Sequence, residues 1–178
     1  LWADGDLSYK ISPSPKVLLA RKKQRESRIY SGDKSEPLYG STYLPRKFKC
    51  GVTVPGDNSI DILTQDIGLI VFTNKNGTLK GCNIYVGGGM GRSHNNEHTF
   101  ARVADPLGYV DSAHVLDLVQ SILALQRDYG ERKIRRHARM KYLIHDQGIE
   151  WFKNELSEKY FHQEIQASKP EPIMKLED

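Results

Sequence analysis

The sequence predicts an α+β fold, a mixed and largely antiparallel sheet covered by helices on one face. Three observations predict it. Residues 41–86 alternate or run apolar in blocks of strand length. Residues 111–161 carry apolar residues at spacings of three and four. The sheet block precedes the helical block along the chain. A chain of 178 residues is long enough to bury one core.

Taken in order, residues 1–40 read as an extended connecting arm. "SPSPK" and "YSGDKSEP" are turn-rich, and "LLARKKQRESR" is one short charged piece. The domain proper is expected over 41–162. "KFKCGVTVP" alternates, which sets Phe48, Cys50, Val52 and Val54 on one face and Lys47, Lys49, Gly51 and Thr53 on the other. "DIGLIVFT" is apolar nearly throughout and fits a central strand. The Asn76-Gly77 pair then signals a hairpin, with "KGCNIYVG" as the returning strand. Residues 87–110 read as a long glycine-rich connection, and connections of that length are usually functional or disordered.

Three helices are expected next. The first, "SAHVLDLVQSILALQRDYG", has the stripe Val115, Leu118, Val119, Ile122 and Leu125, a cap at Asp111 or Ser112 and a stop at Gly130. The second, "RKIRRHARMKYLIHDQG", is basic along its first half. The third, "IEWFKNELSEKYF", spaces Phe152, Leu156 and Tyr160 by four. Residues 163–178 read as a loose tail or linker.

Net charge is +4 and the pI is about 9.0, which favours anionic partners. Two cysteines, Cys50 and Cys82, do not make a disulfide framework. Both sit in apolar context, where buried free thiols are common, and a reducing, cytoplasmic-type compartment is the simplest reading. No run of the sequence is apolar enough to span a membrane. The first residues lack a basic region followed by an apolar stretch, so no signal peptide is expected there. They also lack an initiator Met, and the chain is expected to be an excerpt of a longer one.

Several motifs carry chemistry. Lys47 and Lys49, at strand spacing, would project the same way roughly 7 Å apart. Two ammonium groups that close repel unless an anion lies between them; the plain alternative is a solvated edge strand with protective lysines. "VGGGMGR" follows a strand but lacks the third glycine of a dinucleotide fingerprint, since Arg92 stands there. Its bare backbone could approach a flat ligand or form an anion nest, and a flexible loop is the equal alternative. "HNNEH", residues 94–98, matches an inverted zincin pattern, but that pattern needs a helix and Asn-Asn after glycines is poor helix. His94 and His98 are therefore read as loop residues. The run from Arg132 to Lys141 reads as a solvated helix face, with acidic-protein docking or nucleic-acid contact as alternatives. No aromatic interleaving or known nucleic-acid module accompanies it.

Three blocks, "PLYGSTYLPRKFKCGVTVPGDNSIDILTQDIG", "GCNIYVGGGMGR" and "RMKYLIHDQGIEWF", together resemble ferredoxin-dependent assimilatory sulfite reductases of the plant and cyanobacterial type. The resemblance covers most of residues 36–160 in order and spacing. It implies the sirohaem-binding α+β domain of that sulfite and nitrite reductase family. It also implies an enzyme that reduces sulfite to sulfide with electrons from ferredoxin, at a sirohaem coupled to a four-iron four-sulfur cluster. By resemblance, Lys47 and Lys49 contact the substrate anion and Arg46 contacts sirohaem. Gly87, Gly88 and Gly89 match the segment near the macrocycle, and Asn83, Arg92 and Arg102 match motif positions beside it. Related nitrite reductases typically carry Asn where this chain has Lys49, which favours sulfite, with nitrite reductase as the alternative. The family's cluster cysteines are absent, so these residues are expected to work with the remaining domains of the same enzyme. Alone, they are expected to be inactive and to bind sirohaem weakly or not at all. A cytoplasmic or plastid-stromal location follows from the same resemblance.

Overall fold

A computed structural model describes residues 38–39 and 42–171. The arm at residues 1–37 and the tail beyond 171 lie outside the described residues. Four strands form one sheet in the order β1 (Cys50–Thr53), β2 (Ile67–Thr73), β3 (Leu79–Val86) and β4 (Asp105–Asp111). β1 pairs parallel to β2; β2–β3 and β3–β4 are antiparallel. The mixed, largely antiparallel sheet is therefore as expected, with "IGLIVFT" as an inner strand. The parallel pair needs a long crossover, supplied by residues 54–66 with a 3-10 turn at Ile62–Thr64. The β2–β3 hairpin turns where Asn76-Gly77 predicts: Gly77 has φ 81° and Asn74 accepts its N–H at 2.9 Å.

β4 is a correction, because the sequence reading left residues 87–110 as connection. Pro106 and Gly108 disguise the strand. Both are tolerated because β4 is an edge strand with an irregular register opposite Ile84 and Tyr85. Gly108 has φ 147°, and a Cβ there would come within 2.5 Å of the Gln166 carbonyl oxygen.

Helix α1 (Val115–Tyr129), α2 (Met140–Gln147) and α3 (Ile149–Leu156) cover one face. Ile67, Leu69, Cys82, Ile84 and Val86 from the sheet meet Leu118, Ile122, Leu125, Ile144, Phe152 and Leu156 from the helices in one cluster. α1 keeps the expected stripe, with Val119 only half-buried. It starts later than expected, because Asp111 is still paired in β4 and accepts the His114 N–H at 2.9 Å.

The second helix is much shorter than the basic stretch suggested. Residues 131–139 form an irregular run with a 3-10 turn at Arg135–His137, and their polar groups are tied by side chains. The Arg132 guanidinium donates to the carbonyls of Thr42, Tyr43 and Arg127 at 2.6–3.0 Å. The buried Gln126 amide donates to Ala138 O at 3.1 Å. Local bonds of this kind replace helix. After α3 the chain widens into a π turn, Ser157–Phe161, so the fully buried stripe Phe152, Leu156 continues to Phe161, five residues on, while Tyr160 packs half-buried against the same cluster.

The tail is also corrected up to residue 171. Gln166 exchanges two backbone hydrogen bonds with Tyr109 at 2.8 and 3.0 Å. Asn83, fully buried on the sheet face away from the helices, bonds both backbone groups of Lys169 at 2.8 Å and donates to Glu171. Residues 166–171 thus lie as a strap on the second face.

The phase of β1 differs from the expected alternation. Gly51 and Thr53 are buried, while Cys50, Val52 and Val54 are exposed. The alternation itself is kept, but the buried face is that of Gly51 and Thr53, not that of Val52 and Val54. Lys47 and Lys49 lie in the coil before it. Cys50 is thus an exposed thiol, and only Cys82 is buried.

Candidate functional site: a cation-walled cleft

The site is organised around a carboxylate that the sequence reading passed over. Asp66, 0% exposed, sits just before β2. Its Oδ2 accepts the Lys49 backbone N–H at 2.9 Å. The Arg139 guanidinium donates to both of its oxygens, at 2.8 and 3.3 Å, and at 3.3 Å to Gly88 O. One buried side chain therefore joins the "PRKFK" coil, the glycine segment and the entry to α2. A forked arginine–carboxylate pair of this sort is both strong and directional.

Lys141 does the same for the next loop. It is 1% exposed, and its ammonium donates to the carbonyls of Gly89 at 3.1 Å and Gly91 at 2.8 Å, and to Phe100 O. The ammonium also lies 4.8 Å from the Tyr142 ring centroid. Burial pushes the Lys141 pKa down, and the neighbouring Arg139 charge adds to this. Thr99 closes the loop from inside, accepting the Ser93 N–H at 2.8 Å and donating to Asn96 O at 2.9 Å.

These anchors frame a cleft of about 260 Å³. Arg46 and Lys47 reach it from the coil before β1, and Arg92 from the glycine loop. Arg135 and Arg136 come from the 3-10 turn, Arg139 and Lys141 from the entry to α2. No Asp or Glu lines it; Gly91, Ser93, Thr99 and Tyr142 complete the wall. Converging cations with no acid among them form a field that concentrates anions.

Of the residues singled out from sequence, Arg46, Lys47 and Arg92 meet in this cleft. Lys49 is exposed, like Lys47, but is not part of the cleft wall. The nest reading of the glycines is also corrected. The N–H groups of Gly87, Gly88 and Gly89 donate to the carbonyls of Asp66, Gln65 and Arg102 at 2.8–2.9 Å. A Cβ on Gly88 would lie 2.3 Å from Leu63 O, so close backbone packing already explains that glycine. Arg102 bonds Gly87 O at 3.1 Å and pairs with Asp105, which makes it a brace behind the loop. Asn83 belongs to the strap. Residues 94–98 form turns rather than the helix a zincin pattern needs.

Sequence reasoning noticed the cations of residues 132–141 but read them as a helix face. Their convergence with Arg46 and Lys47 depends on contacts spanning about ninety positions, which no local pattern carries.

The fold thus assembles one cation-walled cleft over a buried ionic frame. The family model described as "Nitrite and sulphite reductase 4Fe-4S domain" matches residues 20–165, and the chain belongs to that family. It is 61% identical over 153 residues to a sulfite reductase [ferredoxin] of Synechococcus elongatus, covering 86% of this chain and 24% of that protein. It is 38% identical over 177 residues to a sulfite reductase [NADPH] subunit beta of Saccharomyces cerevisiae, covering 96% of this chain and 12% of that protein. A solved structure, Mycobacterium tuberculosis NirA protein, superimposes with a TM-score of 0.61 at 26% identity, covering 83% of this chain and 24% of that one. The chain therefore spans a quarter or less of the length of these relatives.

The two cysteines do not suit the cluster named in the family description. Cys50 is exposed on β1, whereas Cys82 is buried on β3 with β2 between them. Among the described residues no group of three or more His, Cys, Asp or Glu side chains could hold a metal ion.

Proposed function

We propose that these residues form the anion-holding part of a ferredoxin-dependent sulfite reductase, which reduces sulfite to sulfide at a sirohaem coupled to a four-iron four-sulfur cluster. The observation that carries the reading is the cleft walled by seven cations and no acid, in a chain 61% identical to a sulfite reductase [ferredoxin]. Relatives named for NADPH are 38–47% identical, which favours ferredoxin as the donor.

The cleft suits a carboxylate-rich ring. Guanidinium groups bind carboxylates in a fork and stay charged at any working pH. Arg46 and Arg92 are the residues that would hold ring carboxylates, and Arg135 and Arg136 would face the substrate anion, with Arg139 fixed behind them by Asp66. Sirohaem, were it bound, would supply the redox-active iron for the reduction. The cluster is not assigned to these residues.

Near neutral pH sulfite is divided between its monoanion and its dianion. Lys47 lines the cleft with an ammonium group that offsets this charge and donates to an oxygen as S–O bonds weaken. Lys49, two residues on, adds charge from outside the wall, and it is the position that favours sulfite over nitrite. The test uses the reductase that contains these residues. Lys47→Met is expected to lower kcat/KM for sulfite by about 100-fold or more, the scale of losing a proton donor or an oxyanion contact. Lys49→Asn is expected to shift preference toward nitrite. Unchanged sulfite turnover in Lys47→Met, with sirohaem content intact, would contradict the reading.

A further inference from the structure

Arg135 and Arg136 are exposed side chains on a turn of only three residues with no side-chain cap. Long exposed side chains on so short a turn lose considerable rotamer entropy when held in one place. Something must hold the turn, and the candidates are few. Ala138 is buried and receives the Gln126 amide at 3.1 Å, which anchors the backbone on the helix side. Next to it, the His137 ring stacks on Tyr142 with centroids 4.1 Å apart and planes 22° from parallel. The His137 Nε2–H donates to Asp146 Oδ2 at 3.0 Å.

Tyr142 is itself fixed. It is 3% exposed, its ring meets the edge of Phe100 at 5.2 Å, and the Lys141 ammonium lies 4.8 Å from its centroid. Tyr142 also lines the cleft. The His137 ring thus joins the arginine turn to the buried Tyr142 of the cleft wall, and Asp146 on α2 orients the ring.

We propose that His137 is a positioning residue, which presents Arg135 and Arg136 to the bound anion through its stack on Tyr142 and its bond to Asp146. The inference rests on the reading of the cleft as the anion site. It adds that His137, which carries no contact to the cleft of its own, determines how tightly the site holds substrate. A positioning role affects binding before chemistry, so the effect falls on KM and leaves kcat near its starting value.

The test is steady-state kinetics in the reductase containing these residues, with sirohaem content measured on every preparation. His137→Ala removes the stack and the hydrogen bond, and is expected to raise KM for sulfite about fivefold with kcat within about twofold. His137→Phe keeps the stack and is expected to recover most of that loss. Arg136→Met is the control for the site itself. If Arg136→Met raises KM and His137→Ala does not, the positioning role is overturned while the cleft reading stands. If neither raises KM, both are overturned. A His137→Ala protein that loses sirohaem or kcat in proportion to KM, without recovery by His137→Phe, also overturns the role, since that is the behaviour of a merely structural residue.

Discussion

Asp66 is the residue on which the site turns. It has no exposure and joins a lysine backbone, an arginine fork and, through that fork, a glycine carbonyl. Burying such a pair gains little over apolar packing, but removing one partner leaves an uncompensated charge in a low dielectric. Arg139→Met is therefore expected to cost about 3–5 kcal/mol, read as a lowered denaturation midpoint with unchanged m-value. Arg139→Lys keeps the charge but loses the fork, and is expected to recover only part of it. Nothing local in "LTQDIGLI" marks Asp66, because a lone acid before an apolar run has many uses. Lys47 and Arg46 were legible because a whole motif surrounds them. Lys49 stands outside the cleft wall, and its backbone is held locally. Asp66 captures the Lys49 N–H, and regular strand pairing begins one residue later.

The elements were legible where a single periodicity dominates. α1 has a clean apolar stripe, β2 is a short apolar run, and Asn76-Gly77 closes the hairpin. They were hidden where side chains replace backbone order. Residues 131–139 look helical by composition but are tied by Arg132, Gln126 and Glu131. β4 was masked by Pro106 and Gly108, whose freedom accommodates the strap.

That strap makes its own predictions. Asn83→Leu leaves both backbone groups of Lys169 without their partner and is expected to cost about 1–3 kcal/mol. Limited proteolysis should then cut within 163–171 sooner than in wild type. Tyr85 donates to Glu171 at 3.0 Å, and burial together with that bond pushes its pKa from 10.0 up to about 12. The native state thus keeps the phenol proton that the unfolded chain loses. The stabilisation is complete below pH 10 and declines as pH climbs from 10 toward 12. Tyr85→Phe is expected to flatten that part of the pH–stability curve.

At the scale of the molecule, a net charge of +4 understates the asymmetry, because seven cations share one cleft. The cleft sits where the coil before β1, the glycine loop after β3 and the run before α2 come together. The helix-packed core holds the strands and α2 in place, and the buried ion pair and Lys141 set the loops upon them. A site so assembled draws in anions from a distance, and its affinity is expected to fall as salt screens the field. Raising ionic strength should increase KM for sulfite more than it changes kcat.

The most direct measurement is a crystal structure of the reductase containing these residues, with sirohaem and sulfite bound. The account predicts ring carboxylates within hydrogen-bond reach of Arg46 and Arg92, and sulfite oxygens within reach of Lys47 Nζ and the Arg136 guanidinium. A ring seated elsewhere, with these side chains facing only solvent, would contradict it.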